Sequence, residues 1–149
     1  MVVFPYPKDP KKGFIKRVIG LGGDKIQITN RNLYVNDQLI LATLVGVQEA
    51  DDPPHSKAYG VPTVYEERIG GVSYCVQYLG DKSAVNQGQW VVPQDRVFVI
   101  GDNRDNSQDS RHFGAVRRDD IEGKAFKIYW SWDRVSAHVR WERIGESIR

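Results

Sequence analysis

Two stretches carry the residues able to do chemistry. Residues 101–114, GDNRDNSQDSRHFG, gather three Asp, two Asn, two Ser, two Arg and one His between two glycines. They follow directly on the apolar run Val97-Phe98-Val99-Ile100. A strand that ends in a dense polar loop can hold reactive groups rigidly at the edge of a core, although the same composition also builds hydrogen-bonded turns. The second stretch lies far upstream, where Phe14-Ile15-Lys16-Arg17-Val18-Ile19 sets two cations inside an apolar strand. On a pleated strand Lys16 shares a face with Phe14 and Val18, and Arg17 points the other way with Ile15 and Ile19. Such charges either guard an edge strand against aggregation or sit among apolar groups and lose solvation. In the second case desolvation lowers the lysine pKa and frees a neutral amine to act as a general base. Lowering it from about 10.4 to about 8 costs on the order of 3 kcal/mol, so neighbouring hydrogen bonds must hold the amine in place.

The elements that position these groups read as short strands. Val2-Val3-Phe4 begins one, Pro5, Pro7 and Pro10 forbid helix, and Lys8 to Gly13 reads as a polar turn. Phe14 to Leu21 is a strong strand closed by Gly22-Gly23-Asp24. Ile26 and Ile28 alternate with polar residues, and turns at Asn30-Arg31-Asn32 and Asn36-Asp37 make a small meander with Leu33-Tyr34-Val35 and Gln38 to Leu41. Leu39 to Val47 reads as strand, Asp51-Asp52-Pro53-Pro54 as a loop, and Val61 to Ile69, Val72 to Leu79 and Gln89 to Val92 as strands between glycine turns. Ala125 to Trp132 alternates like a further strand, Val139-Arg140-Trp141 begins a last one, and Asp119 to Glu122 suits a helical turn. The expected fold is mostly β, with antiparallel sheets or a barrel and residues 43–89 as an inserted β subdomain.

Composition excludes several functions. The 149 residues are 40% apolar and 27% charged, as in an ordinary single-core protein. A formal charge of +2 with no Lys/Arg block gives no footprint for nucleic acid. No run reaches the roughly 18–20 apolar residues of a membrane helix, and no signal peptide opens the sequence, so the chain as given is expected to be soluble. The lone Cys75 excludes an internal disulfide and reads as a half-buried strand residue. His55, His112 and His138 lack ligand spacing. Asn103, Asp105, Ser107 and Asp109 mimic a calcium loop, but the central Gly and closing Glu are missing and Arg111 intrudes. No metal or cofactor is expected.

FIKRVIGLGGD and GDNRDNSQDSRHFG resemble two signature boxes of bacterial type I signal peptidases. The likeness continues through Gly123-Lys124-Ala125, Tyr129-Trp130-Ser131-Trp132 and Arg140 to Gly145, and Val2 to Pro7 resembles the strand after the family's upstream boxes. The resemblance implies a serine protease in which a buried Lys, not a His, takes the proton of the attacking hydroxyl. It implies that Lys16 is the general base and that Ser107 orients its amine. Asp109 and Arg111 would form an ion pair supporting the loop, and Arg17 and Asp102 a second pair behind the lysine. Phe14 and Ile15 would wall shallow pockets for the small side chains of Ala-x-Ala signal-peptide ends. The implied substrates are secretory preproteins, met on the outer (periplasmic) face of the bacterial cytoplasmic membrane.

The chain also departs from the family. The nucleophile belongs to an upstream Ser-Met-x-Pro box after a membrane anchor, and none of Ser56, Ser73, Ser83, Ser107, Ser110, Ser131, Ser136 or Ser147 is followed by Met-x-Pro. Residues 1–42 and 90–149 are therefore expected to be a catalytic β core without its nucleophile strand and anchor, and inactive alone. Gly22 stands where the family has Pro, which is expected to loosen the turn and leave the chemistry alone. The alternative is a non-catalytic relative that binds peptides or partners without cutting. Repressor-type Ser–Lys autoproteases share the dyad but not the whole GDNRDNSxDSR box.

Overall fold

A computed structural model describes residues 1–47, 62–79, 87–133 and 137–148. Its strands in chain order are β1 (Val2–Tyr6), β2 (Asp9–Leu21), β3 (Lys25–Thr29), β4 (Asn32–Val35), β5 (Gln38–Ile40), β6 (Ala42–Val47), β7 (Pro62–Ile69) and β8 (Val72–Leu79). They continue as β9 (Gly88–Val91), β10 (Arg96–Ile100), β11 (Val116–Arg117), β12 (Gly123–Lys124), β13 (Trp132–Asp133) and β14 (His138–Val139). One helical turn, α1 (Ser110–Phe113), stands between β10 and β11. The fold is mostly β, and its named strand pairings are antiparallel.

Strand β2 is the spine. Its first half pairs with β1, Val2 opposite Lys16 and Phe4 opposite Phe14, and its second half pairs with β10, Ile100 opposite Arg17 and Val97 opposite Leu21. The five-stranded sheet runs β11-β10-β2-β1-β12, so β2 is internal and its charges do not guard an edge. A four-stranded sheet runs β5-β4-β3-β9, and β6-β7-β8 form a third.

The run Val97-Phe98-Val99-Ile100 is apolar at every position because β10 is covered on both faces. Val97 and Val99 pack with Phe4 and Val116, whereas Phe98 and Ile100 pack with Ile19, Ile26, Ile28, Leu33 and Val92. Burying each such side chain contributes about 1.5–3 kcal/mol, which anchors the end of β10 from which the polar box departs. The hairpin registers follow from their turns. Asn30-Arg31, Asn36-Asp37 and Gly70-Gly71 all have positive φ, the two-residue turn whose twist matches the flanking strands.

Several sequence expectations are corrected. The Lys8 to Gly13 turn is shorter than expected, because β2 already begins at Asp9, which pairs with Tyr6 beyond a bulge. Ala125 to Trp132 is not a strand; only Trp132–Asp133 is. Its alternation lacks a continuous neighbour, being tied only at points such as Ile128 N to Glu146 O and Ile148 N to Phe126 O. Tyr129 is 90% exposed as a result. The strand expected from Val139 is the pair His138–Val139, after which Trp141–Arg143 make a 3₁₀ turn. Cys75 is exposed, since it faces away from the cluster that buries Tyr74 and Val76. At Gly22 a Cβ would lie 2.3 Å from Gln94 O, so the glycine admits that backbone closely. The Asp51–Pro54 loop, His55, Ser56, Ser83 and Ser136 lie outside the described residues.

Candidate active site

Strand register brings the two boxes together. β10 ends at Ile100, opposite Arg17, so the polar box leaves the sheet beside Lys16. There Lys16 Nζ donates to Ser107 Oγ at 2.9 Å. Gly101 makes this approach possible, for a Cβ at 101 would fall 2.1 Å from Ser107 Oγ, 2.6 Å from Ser107 Cβ and 3.4 Å from Lys16 Nζ. Gly101→Ala is accordingly expected to destabilise the chain by about 1–3 kcal/mol and to push Ser107 off the amine. Urea denaturation checks the first effect and NMR shifts of Lys16 the second; an unchanged midpoint with unchanged shifts would contradict it.

Asp109 organises the box from within. Its carboxylate is fully buried and accepts from Arg111 Nε at 2.8 Å and Nη2 at 2.7 Å, and from Gly101 N at 3.0 Å. It also caps α1 through Arg111 N, and the nearby Ser107 hydroxyl helps to favour its charged form. These donors hold its pKa below the usual carboxylate value against the opposing effect of burial. Ser110 ties the same turn to β10, its Oγ accepting from Val99 N at 2.9 Å. The expected pairs Lys16–Ser107 and Asp109–Arg111 are thus links of one chain of contacts.

Lys16 is partly buried, and desolvation is the largest influence on it, lowering its pKa from 10.5. Asp109 opposes this, Arg111 adds to it and Asp102 opposes it. The Phe14 ring, 5.1 Å from Nζ, covers one side of the amine. Such a site holds a lysine short of water beside a hydroxyl, an arrangement able to accept a proton at lower pH than an exposed lysine.

Arg17 and Asp102 form the second expected pair, with two parallel bonds of 2.8 and 2.9 Å. Three participants were not singled out from the sequence. The Arg17 guanidinium lies 3.9 Å from the centroid of the Tyr74 ring, Tyr74 OH donates to Glu67 at 2.9 Å, and Glu67 pairs with Arg104. Arg104 lay inside the polar box, but Glu67 and Tyr74 sit among ordinary alternating strand residues, where nothing local marks a buried acid.

The two residues expected to wall substrate pockets face apart. Phe14 lies on the Lys16 face, stacked on Tyr6 at 4.5 Å. Ile15 faces the opposite way, 49% exposed, beside an open groove of about 650 Å³ that also meets Arg17, Asp102, Ala125 and Trp130. The acceptors of the calcium-like pattern are engaged within the protein: Asp105 accepts from Leu79 N, Asn103 from Asn106 N, and Asp109 from Arg111. Among the described residues no helix is long and apolar enough to cross a membrane.

The mostly β fold thus holds a partly buried lysine, on the internal strand β2 of its five-stranded sheet, against a serine hydroxyl. The family profile described as "Signal peptidase, peptidase S26" matches residues 1–130, and the chain belongs to that family. Relatives named signal peptidase I in Pseudomonas fluorescens and Pseudomonas aeruginosa are each 33% identical over 159 residues, covering 97% of this chain and 54% of their own. The signal peptidase I of Aquifex aeolicus is 36% identical over 162 residues, covering 88% of this chain and 62% of its own. A crystal structure of a signal peptidase I from Enterococcus faecalis aligns with a TM-score of 0.47 at 24% identity, covering 82% of this chain and 89% of that one. The chain spans about half the length of the curated relatives it matches.

Proposed function

We propose that this chain carries the general base of a type I signal peptidase, which hydrolyses the peptide bond after the signal peptide of secretory preproteins. In this reading Lys16 takes the proton of an attacking serine hydroxyl, Ser107 orients the amine, and Asp109–Arg111 and Arg17–Asp102 hold both in place. Phe14 and Ile15 contribute to the surfaces that receive the small residues before the cut. Residues 43–89 act as a β subdomain set into the core formed by 1–42 and 90–149. The parent protein works at the outer face of the bacterial cytoplasmic membrane, without metal or cofactor. The observation carrying the reading is the 2.9 Å bond from Lys16 Nζ to Ser107 Oγ beside a fully buried Asp109.

The attacking serine is proposed to come from outside these 149 residues, since none of their serines stands in a Ser-Met-x-Pro box. The backbone N–H of that serine would also supply part of the oxyanion hole. The purified chain is therefore expected to leave a preprotein with an Ala-x-Ala signal end intact. Expression together with upstream coding sequence containing an in-frame Ser-Met-x-Pro and an apolar segment should give cleavage after the last Ala. Hydrolysis by the 149 residues alone would show that one of their own serines attacks. Intact substrate in both preparations would favour the non-catalytic relative instead.

A further inference from the structure

The polar box is held from one side by the β7–β8 hairpin. Gln77 N donates to Asp102 O at 2.7 Å, and Arg104 N donates to Gln77 O at 2.8 Å. Leu79 N donates to the Asp105 carboxylate at 2.7 Å. Residues 102–105 thus lie along β8 like a short added strand, with Gln77 and Asn103 in a parallel bridge. Through this seam the Arg104 side chain enters the hairpin, where its two terminal nitrogens meet the two Glu67 carboxylate oxygens and one also reaches Tyr78 OH at 3.3 Å. Glu67 is 1% exposed and Arg104 4%. Tyr74 joins Glu67 to the underside of Arg17, the residue after Lys16.

A buried fork-to-fork pair contributes little net stability compared with apolar residues of the same volume, but it tolerates only one geometry. That geometry falls midway between Asp102, which meets Arg17, and Ser107, which meets Lys16. We infer that Glu67 is a positioning residue for the base: by fixing Arg104 it fixes the loop from Asp102 to Ser107, and with it the place where Ser107 meets Lys16. This inference rests on the proposed chemistry of Lys16. It also gives the β7–β8 hairpin a part in the active site without contact with the reacting atoms.

The test follows the Lys16 ¹³Cε shift against pH in the full chain, assigned with Lys16→Arg. If Glu67 merely supplied a negative charge, Glu67→Gln would lower the Lys16 pKa, because a nearby anion favours the ammonium. If Glu67 positions the loop, losing it lets water reach the amine, and the Lys16 pKa rises by about one pH unit or more toward the ordinary lysine value. A folded Glu67→Gln chain with an unchanged or lowered Lys16 pKa overturns the inference. Where that variant fails to fold, the apolar pair Glu67→Leu with Arg104→Met removes both charges and leaves neither orphaned. It is expected to show the same rise, and an unchanged Lys16 pKa there overturns the inference equally. A wild-type Lys16 that titrates with the exposed lysines overturns the general-base reading and this inference with it, and that failure is visible before any variant is made.

Discussion

Lys16→Ala in the full-length parent is expected to lower kcat for signal-peptide cleavage by about 10⁴-fold or more, since it removes the only proton acceptor assigned to the nucleophile. Lys16→Arg should lose as much, because a guanidinium keeps its proton throughout the working range. The pair of variants separates a base from a mere positive charge. Ser107→Ala should cost about 10²-fold, as the amine survives but loses the 2.9 Å bond that aims it. In the wild type, activity should rise with pH as Lys16 passes from ammonium to amine, and burial places that limb below the ordinary lysine value of 10.5. In Ser107→Ala the limb should move, because the amine is held differently. Steady-state kinetics across pH measures all of this, and full activity in Lys16→Ala would refute the assignment of roles.

Asp109→Asn is expected to cost about 3–5 kcal/mol of stability, more than any surface change in the chain. The carboxamide presents a donor where the Arg111 guanidinium and Gly101 N already donate, and it leaves Arg111 buried without its counter-charge. The pH dependence carries a sign that can be checked. The folded pKa of Asp109 is lowered, so its contribution is fully present above the unfolded carboxylate value of about 3.9 and is lost as pH falls through the folded value. Urea denaturation should therefore show the wild type losing its advantage over Asp109→Asn as the medium becomes strongly acidic. A constant gap between the two across that range would mean that the native carboxylate is not specially stabilised.

Part of this site was legible because its physics is local. Asp109 and Arg111 stand two residues apart, and Asp109 caps the turn that carries Arg111, so one loop conformation makes both contacts. The apolar stretch 97–100 announced a strand, and the paired turn residues announced the hairpins. The misreadings also have a common cause. Ala125 to Trp132 and the sequence around Cys75 alternate in the same way, yet only the second has neighbours on both sides. Alternation records which residues share a face and is silent on whether that face meets anything.

Sequence by itself determined the strand-rich class, the turn positions, the polar box and the candidate amine, since each depends on residues within a few positions of one another. Tertiary structure alone decided that Lys16 meets Ser107, that β2 is interior, that Phe14 and Ile15 face apart, and that Glu67 is sealed against Arg104. Those outcomes depend on sheet order and register between distant segments, and the desolvation that alters a lysine exists only once such segments have packed around it.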